Sequence, residues 1–324
     1  MPVDVEVRAM TAGDSLLIGD LLARCMSAER ISNPLFWGRV LLDPNIRSSG
    51  IAVAATPAGG VVGCAIAVVE RRPVEDGTPD TERGWVTAFA VDEAWRRQGI
   101  GTRLLEFAEN YVRKAGRTIM DISAYAPGYF VPGVDGVAYP EALAFLKSRG
   151  YASTARPLSM SISLPMGWQI PPFANQLSID LQRQGIHVHP VEPHQLSALL
   201  HFLRAEFPGP WQAQVRGAVR DILAQRRHGS DLLAASRGDE ILGFAHCFRE
   251  RFGPFGVAQA ERGKGIGITL LARMLQHIQA RGGRHAWFMW SDDASAARVY
   301  TPMGFVESRR FDVMRKQLDS SSGV

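Results

Sequence analysis

The chain has only three cysteines, Cys25, Cys64 and Cys247. Their number is odd and their spacing wide, with no pair set for metal ligation or a redox dithiol, so neither a disulfide framework nor a cysteine-held metal organises the fold. No metal is expected. No uninterrupted apolar stretch approaches membrane-spanning length, and Met1 is followed by Pro2, Asp4 and Glu6 rather than by a cationic segment leading into an apolar one. These two absences predict a cytoplasmic chain with no membrane partner. Dense runs of one charge are missing too: 36 Lys and Arg against 32 Asp and Glu leave a net charge of +4 spread along the sequence, which gives no footprint for nucleic acid. What is present is 46% apolar and 21% charged residues over 324 positions, a balance that folds and a length that accommodates two cores.

Self-similarity is the next signal, because the two halves run through the same succession of patterns. Each opens on a short extended segment, Val5–Arg8 or Ile186–His189, followed by an amphipathic helix, Leu16–Met26 or Gln195–Phe207. A strand, a polar turn and a second strand come next: Ile51–Ala54 into Val61–Ala65, and Leu232–Ala235 into Ile241–Ala245. Each half then has an apolar strand, Trp85–Val91 or Phe252–Val257, that enters a basic, glycine-containing turn and a long helix. Between the halves, Leu164–Pro172 holds three prolines and a glycine and reads as a linker. The expected division is 1–165, a linker at 166–175, 176–318, and a polar, frayed tail at 319–324.

The turn is the informative unit. Its first copy is Arg96-Arg97-Gln98-Gly99-Ile100-Gly101-Thr102 and its second is Arg262-Gly263-Lys264-Gly265-Ile266-Gly267-Ile268. Both have Arg, two residues, Gly, one residue, Gly. Glycines let consecutive backbone N–H groups converge on one anion, and the helix start adds unpaired donors and a positive dipole end. Two rival phosphate signatures fail: Walker A needs Gly-Lys-Ser/Thr after four residues, and the dinucleotide fingerprint needs a third glycine where Leu104 and Leu270 stand.

The strand, the Arg-x-x-Gly-x-Gly turn and the helix after it resemble the signature of the GCN5-related N-acetyltransferases (GNAT), and the flanking elements follow that family's order in both halves. The resemblance implies an α/β (α+β) chain of two GNAT-fold domains in tandem, each a mixed, mostly antiparallel sheet flanked by helices. It implies acetyl-CoA as cosubstrate, lying where the strand before the turn splays from its neighbour. By position, Val91 and Val257 would offer backbone groups to the pantetheine arm or thioester. The turn residues would hold the pyrophosphate, with charge from Arg96, Arg97, Arg262 and Lys264.

Acetyl transfer needs an uncharged amine, a polarised thioester carbonyl and a proton for the leaving thiolate. In the family pattern a tyrosine four residues before a Gly-aromatic pair supplies that proton. The second half matches with Tyr300 before Gly304-Phe305, whereas the first half has Leu146 before Gly150-Tyr151. The second half is therefore the expected catalyst and the first a degenerate copy. Candidates for the base are Glu250, His246, Asp292 and Asp293; Asp292 and Asp293 equally suit a helix cap, and His246 a core position. The long loop from Tyr125 to Pro140 reads as a substrate wall or as a cover, and Trp287, Phe288 and Trp290 place at least one aromatic on the acceptor side. The expected reaction is transfer from acetyl-CoA to a primary amine of a small polar molecule, such as an amino sugar. Two other readings stay open: catalysis in the first half using Tyr125, Tyr129 or water, and a CoA-binding module without turnover. Oligomeric state is not readable.

Overall fold

A computed structural model describes residues 4–126 and 128–319. Apart from Asp319, the frayed tail expected at 319–324 lies outside the described residues, as does Pro127 of the long loop. Among the described residues fourteen strands form two seven-stranded sheets. The first sheet contains β1 (Glu6–Ala9), β2 (Ile51–Ala55), β3 (Val61–Val69), β4 (Arg83–Val91), β5 (Ile119–Ile122) and β6 (Ala152–Ala155). The second contains β7 (Leu158–Ser163), β8 (Ile186–Pro190), β9 (Leu232–Arg237), β10 (Glu240–Phe248), β11 (Arg251–Val257), β12 (His285–Ser291) and β13 (Val306–Arg310). The last strand, β14 (Val313–Gln317), returns to the first sheet.

The strand orders are β1-β2-β3-β4-β5-β14-β6 and, read from the matching edge, β8-β9-β10-β11-β12-β7-β13. The sixth place in each sheet is thus filled from the other half of the sequence. Two compact units follow: residues 1–73, 79–157 and 310–324 in unit 1, and residues 74–78 and 158–309 in unit 2. This differs from the division expected at the 166–175 linker, and the reason is local. Only Arg156-Pro157 joins β6 to β7, and only Phe311-Asp312 joins β13 to β14. A two-residue hairpin needs positive φ at one or both turn residues, which proline cannot adopt and phenylalanine resists, so each strand runs on into a different sheet. Inside unit 1, β14 is fastened by register with β5 (Met314 opposite Ile122) and by a two-pronged ion pair, Arg315 to Asp121 at 2.7 and 2.8 Å.

Each sheet has helices on both faces. In unit 1, α1 (Ser15–Cys25) and α2 (Asn33–Phe36) cover one side over Cys64, Ile66, Trp85 and Ala88. The other side is covered by α3 (Ile100–Lys114), with α4 (Pro140–Ser148) placing Leu146 in that core. In unit 2 the expected linker is instead built in: Leu164 is fully buried, and α5 (Pro172–Arg183) packs Ala174 and Leu181 into the core. The spacing of Ala174, Ser178 and Leu181 carried that helical signal behind the prolines. One face is covered by α6 (Leu196–Glu206) and α7 (Pro210–Leu223), the other by α8 (Ile266–Ala280). Cys64 and Cys247 are buried, and burial pushes both thiols up to about 12, as core thiols require.

Candidate active site

In both units the strand before the glycine turn parts from its parallel neighbour. Register between β4 and β5 runs only from Arg83–Ile119 to Val86–Ile122, leaving Thr87–Val91 without a partner on that side. Between β11 and β12 only Arg251 and Trp287 are in register. A bulge marks each parting: Thr87 is the extra residue between the Ile66–Ala88 and Ala67–Val86 pairs, and Gly253-Pro254 together oppose the single His246. An extra residue bends the strand and leaves ladder groups exposed, which is the opening an extended ligand arm can pair with.

The turns follow. Gly99 (φ +80°) and Gly265 (φ +89°) sit at the N-caps of α3 and α8 in the left-handed region that favours glycine. The first in-helix bonds are donated by Arg103 to Gly99 (3.1 Å) and by Thr269 to Gly265 (3.0 Å). The amides of Ile100, Gly101 and Thr102, and of Ile266, Gly267 and Ile268, therefore have no in-helix acceptor and lie at the positive end of the dipole, where an anion can be held. This cradle fits a pyrophosphate in both copies.

The side chains do not all follow the expectation. Arg96 donates from Nε to the Val91 carbonyl at 3.2 Å and pairs with Glu141, and Arg262 makes the same 3.2 Å bond to Val257. The motif arginine thus ties the turn to the end of its strand. Lys264 is paired with Glu261 at 3.0 Å and Gln98 donates to Ala94, whereas Arg97 is exposed with φ 63°. Reading from sequence missed two residues here. Arg149, at the end of α4, donates to the Thr102 hydroxyl at 2.6 Å and adds a cation beside the first turn. Leu177 of α5 lies 2.9 Å from where a Cβ on Gly265 would stand, whereas the same point at Gly99 is open.

Beyond the turns the units diverge. Tyr300 closes a π-helical turn, Ala296–Tyr300, a distortion frequent at functional sites. Its ring centroid is 4.3 Å from that of Phe288 on β12 and 6.1 Å from that of Phe255 on the splayed part of β11, so it stands between the parted strands. Burial, with a smaller contribution from Asp292, raises its phenol above the ordinary tyrosine range, and the hydroxyl has no hydrogen-bond partner among the described residues. The phenol beside the opening therefore keeps its proton at neutral pH. In unit 1 Leu146 is buried at that place, and Phe145 stacks on Phe89, the counterpart of Phe255, at 5.8 Å. Tyr125, one of the substitutes considered for it, is buried and hydrogen-bonded to Asn45 and Asp43 in the far core. The Tyr125–Pro140 loop covers its own sheet, with Tyr125 and Phe130 in the core, rather than standing open as a wall.

The candidate bases are not brought together around Tyr300. Glu250 precedes β11 and accepts from the amides of Arg284 (2.7 Å) and His285 (3.2 Å), which fixes the start of β12. It lies at the opposite end of β11 from Val257, roughly 20 Å away at the usual rise per residue. Asp292 caps the helix Asp293–Ser295, accepting from the Ser295 amide at 2.7 Å and hydroxyl at 3.0 Å, and these bonds lower its carboxyl below the usual range. The cap is its role, and a weakened base is the consequence.

His246 is buried on β10 opposite the bulge, and desolvation, aided by Arg227, pushes its imidazole down to about 4. Unfolding returns the ring to its ordinary range. The unfolded chain therefore binds more protons between about pH 6.5 and 4, and stability falls with acid across that window by up to about 3 kcal/mol. His246→Phe is expected to flatten this dependence in urea-unfolding midpoints measured at pH 7 and pH 4.5; an unchanged slope would assign it to other groups.

Among the described residues one group of metal-ligating type, Asp231, Cys247 and His277, approaches within 4.8 Å. Asp231 already accepts from His277 at 3.1 Å and from Cys247 at 3.9 Å and is paired with Arg227, so the triad is satisfied and its thiol held protonated. It anchors β9 and β10 to α8.

The acetyltransferase (GNAT) family profile matches residues 26–126 and again 196–305, well over half the chain and one match per unit. The chain belongs to the GNAT family. It is a tandem GNAT protein, with one acetyltransferase match in each unit. Among solved structures, it is similar to a fungal multi-domain GH3 β-N-acetylglucosaminidase containing a GCN5-related glucosamine N-acetyltransferase region. That match has 17% identity and a TM-score of 0.80, with 98% of this chain covered and 38% of the other, so this GNAT chain spans well under half of that protein. It is also similar to a GCN5-related N-acetyltransferase from Sphaerobacter thermophilus, at 19% identity, TM-score 0.67, and 97% and 95% of the two chains covered. A tandem GNAT protein from the clavulanic acid biosynthesis pathway matches at 16% identity and TM-score 0.63, over 97% and 98% of the chains. At these identities the likeness is one of fold. No curated protein matches the GNAT chain in sequence. No helix among the described residues is long and apolar enough to cross a membrane.

Proposed function

We propose that the chain transfers an acetyl group from acetyl-CoA to the primary amine of a small polar molecule, an amino sugar, and that the transfer takes place in unit 2. The observation that carries this reading is Tyr300, a protonated, unpartnered phenol between the parted strands of unit 2, against Leu146 in unit 1. Bound acetyl-CoA supplies the activated acetyl group. The residues that would hold it are the amides of Ile266, Gly267 and Ile268 and the open side of β11; Tyr300 then holds a proton for the departing sulfur. Trp287 and Trp290 are half-exposed on β12, with Arg251 over the Trp287 ring, and offer flat faces on which a sugar ring can lie.

Asp292 is capped and Glu250 is remote, so neither acts as a strong base. The rate is therefore expected to follow the fraction of uncharged amine: kcat/KM rises with pH through the pKa of the acceptor itself and shifts when the acceptor is changed. The raised phenol of Tyr300 predicts no fall at the alkaline side below about pH 10. A limb that stays fixed while the acceptor pKa varies would point to an enzyme base instead.

A second reading, in which unit 1 holds the acetyl-CoA used in catalysis, is favoured by one contrast: the turn at Gly99 is exposed and flanked by Arg149, whereas Leu177 packs on Gly265. Free CoA thiol measured against amino sugars, polyamines, aminoglycosides, amino acids and peptides tests the function itself. Release with an amino sugar supports the reading. Acetyl-CoA binding without release with any amine supports the non-catalytic module and overturns it.

A further inference from the structure

His246 leaves one polar atom unexplained. Its Nδ1 lies 3.1 Å from the Gly253 carbonyl, and a carbonyl only accepts, so Nδ1 carries the hydrogen. The tautomer is thereby fixed, and Nε2 is left with a bare lone pair. That nitrogen is buried and has no hydrogen-bond partner among the described residues. Buried acceptors are ordinarily satisfied, and an orphan in an otherwise well-bonded unit points to a group that arrives with a donor.

The surroundings say from which side. His246 stands opposite Leu232, which belongs to the core beneath α6 and α7; the neighbouring Ala245–Leu233 pair belongs to the core beneath α8. The imidazole therefore faces away from the glycine turn and α8. On β11, the side chains of Phe252, Phe255 and Val257 join the α8 core, so the opposite face of this strand carries Gly253, Pro254 and Gly256. Phe207 fills the gap over Gly256, coming within 2.4 Å of where a Cβ would be, but nothing lies within 4 Å of that point on Gly253. The open point at the bulge is therefore that over Gly253, whose carbonyl is held by the Nδ1 edge of the imidazole. Unit 1 has no counterpart, because Ile66 occupies the place of His246 and is fully buried.

We propose that His246 is a positioning residue for the acceptor: its Nε2 accepts a hydrogen bond from an amine N–H or a hydroxyl of the small polar molecule lying over Gly253. This rests on the acetyltransferase reading of unit 2. No proton changes hands, since the ring is neutral and stays so. Burial is the largest influence against a second proton on the ring; Arg227 and Arg251 add to it and Asp231 opposes it. The bond orients the acceptor on the face of β11 away from the α8 helix.

The test has two parts. Nitrogen NMR of the free wild-type protein is expected to show His246 as the neutral Nδ1–H tautomer near pH 7; an Nε2–H tautomer overturns the proposal whatever the substrate. Thiol release with glucosamine, or with whichever amine of the panel is turned over, is then compared for wild type, His246→Phe and His246→Gln. The expected result is a rise of about tenfold in the acceptor KM for His246→Phe, partial recovery in His246→Gln, whose amide oxygen can accept, and an unchanged KM for acetyl-CoA. An acceptor KM unmoved in a folded His246→Phe protein overturns the proposal while leaving the acetyltransferase reading intact. Absence of release by the wild type with every amine overturns that reading, and this proposal with it.

Discussion

Tyr300→Phe is expected to lower kcat for amine acetylation by roughly 10²-fold, with the KM for acetyl-CoA changed by less than about twofold. The substitution removes one oxygen from a ring packed among Phe255, Phe288 and Phe305, so packing is preserved and only the proton is lost. Since the hydroxyl has no hydrogen-bond partner among the described residues, no bond to them is broken by its removal, and stability should move little. Steady-state thiol release checks the first effect and thermal unfolding the second. The complementary change Leu146→Tyr should not create a second catalyst, because the Phe89–Phe145 stack occupies the corresponding opening of unit 1. Activity in Tyr300→Phe equal to that of the wild type would remove the proton donor from the account.

Ending the chain after Asp312 is expected to unfold unit 1, although the residues removed come last in a sequence whose second half forms unit 2. The truncation takes out β14, which lies between β5 and β6, and with it the register of Val313–Gln317 on both sides. It also leaves Asp121, 2% exposed, without Arg315. An uncompensated buried carboxylate alone costs about 3–5 kcal/mol, a large part of the margin by which a domain is stable. Limited proteolysis should show cleavage throughout residues 4–73 and 79–157 while 158–309 resists. Equal resistance of both units would mean that β14 is dispensable and that the sheet closes without it.

That strand exchange was not legible in the sequence. The repeat, the hairpins, the strand before each turn and the helix after it could be read, because alternation, turn chemistry and paired glycines are local. Which sheet receives β7 or β14 depends on long-range pairing, and the only local trace was negative: Arg156-Pro157 and Phe311-Asp312 lack the residues of a tight hairpin. The turns show a similar limit. Gly99 and Gly265 were readable as an anion cradle, but not that Arg96 and Arg262 spend themselves on the carbonyls of Val91 and Val257, nor that Leu177 packs on one copy alone. Among the candidate bases, Asp292 was correctly read as a possible cap from its place after a strand, whereas the remoteness of Glu250 appears only once strand direction is known. Tyr300 could be identified because its spacing from Gly304-Phe305 is a pattern; the asymmetry of the two openings, filled by Phe145 in one and by Tyr300 in the other, needed the packing.

The claim on which the account turns is that unit 2 performs the transfer. Gly99→Asp and Gly265→Asp each place a carboxylate on one turn, where it repels a pyrophosphate, and free CoA thiol released with the same amine reads the consequence directly. The account predicts that Gly265→Asp abolishes release while Gly99→Asp reduces it far less. Release abolished by Gly99→Asp and unaffected by Gly265→Asp would contradict it and place the catalyst in unit 1.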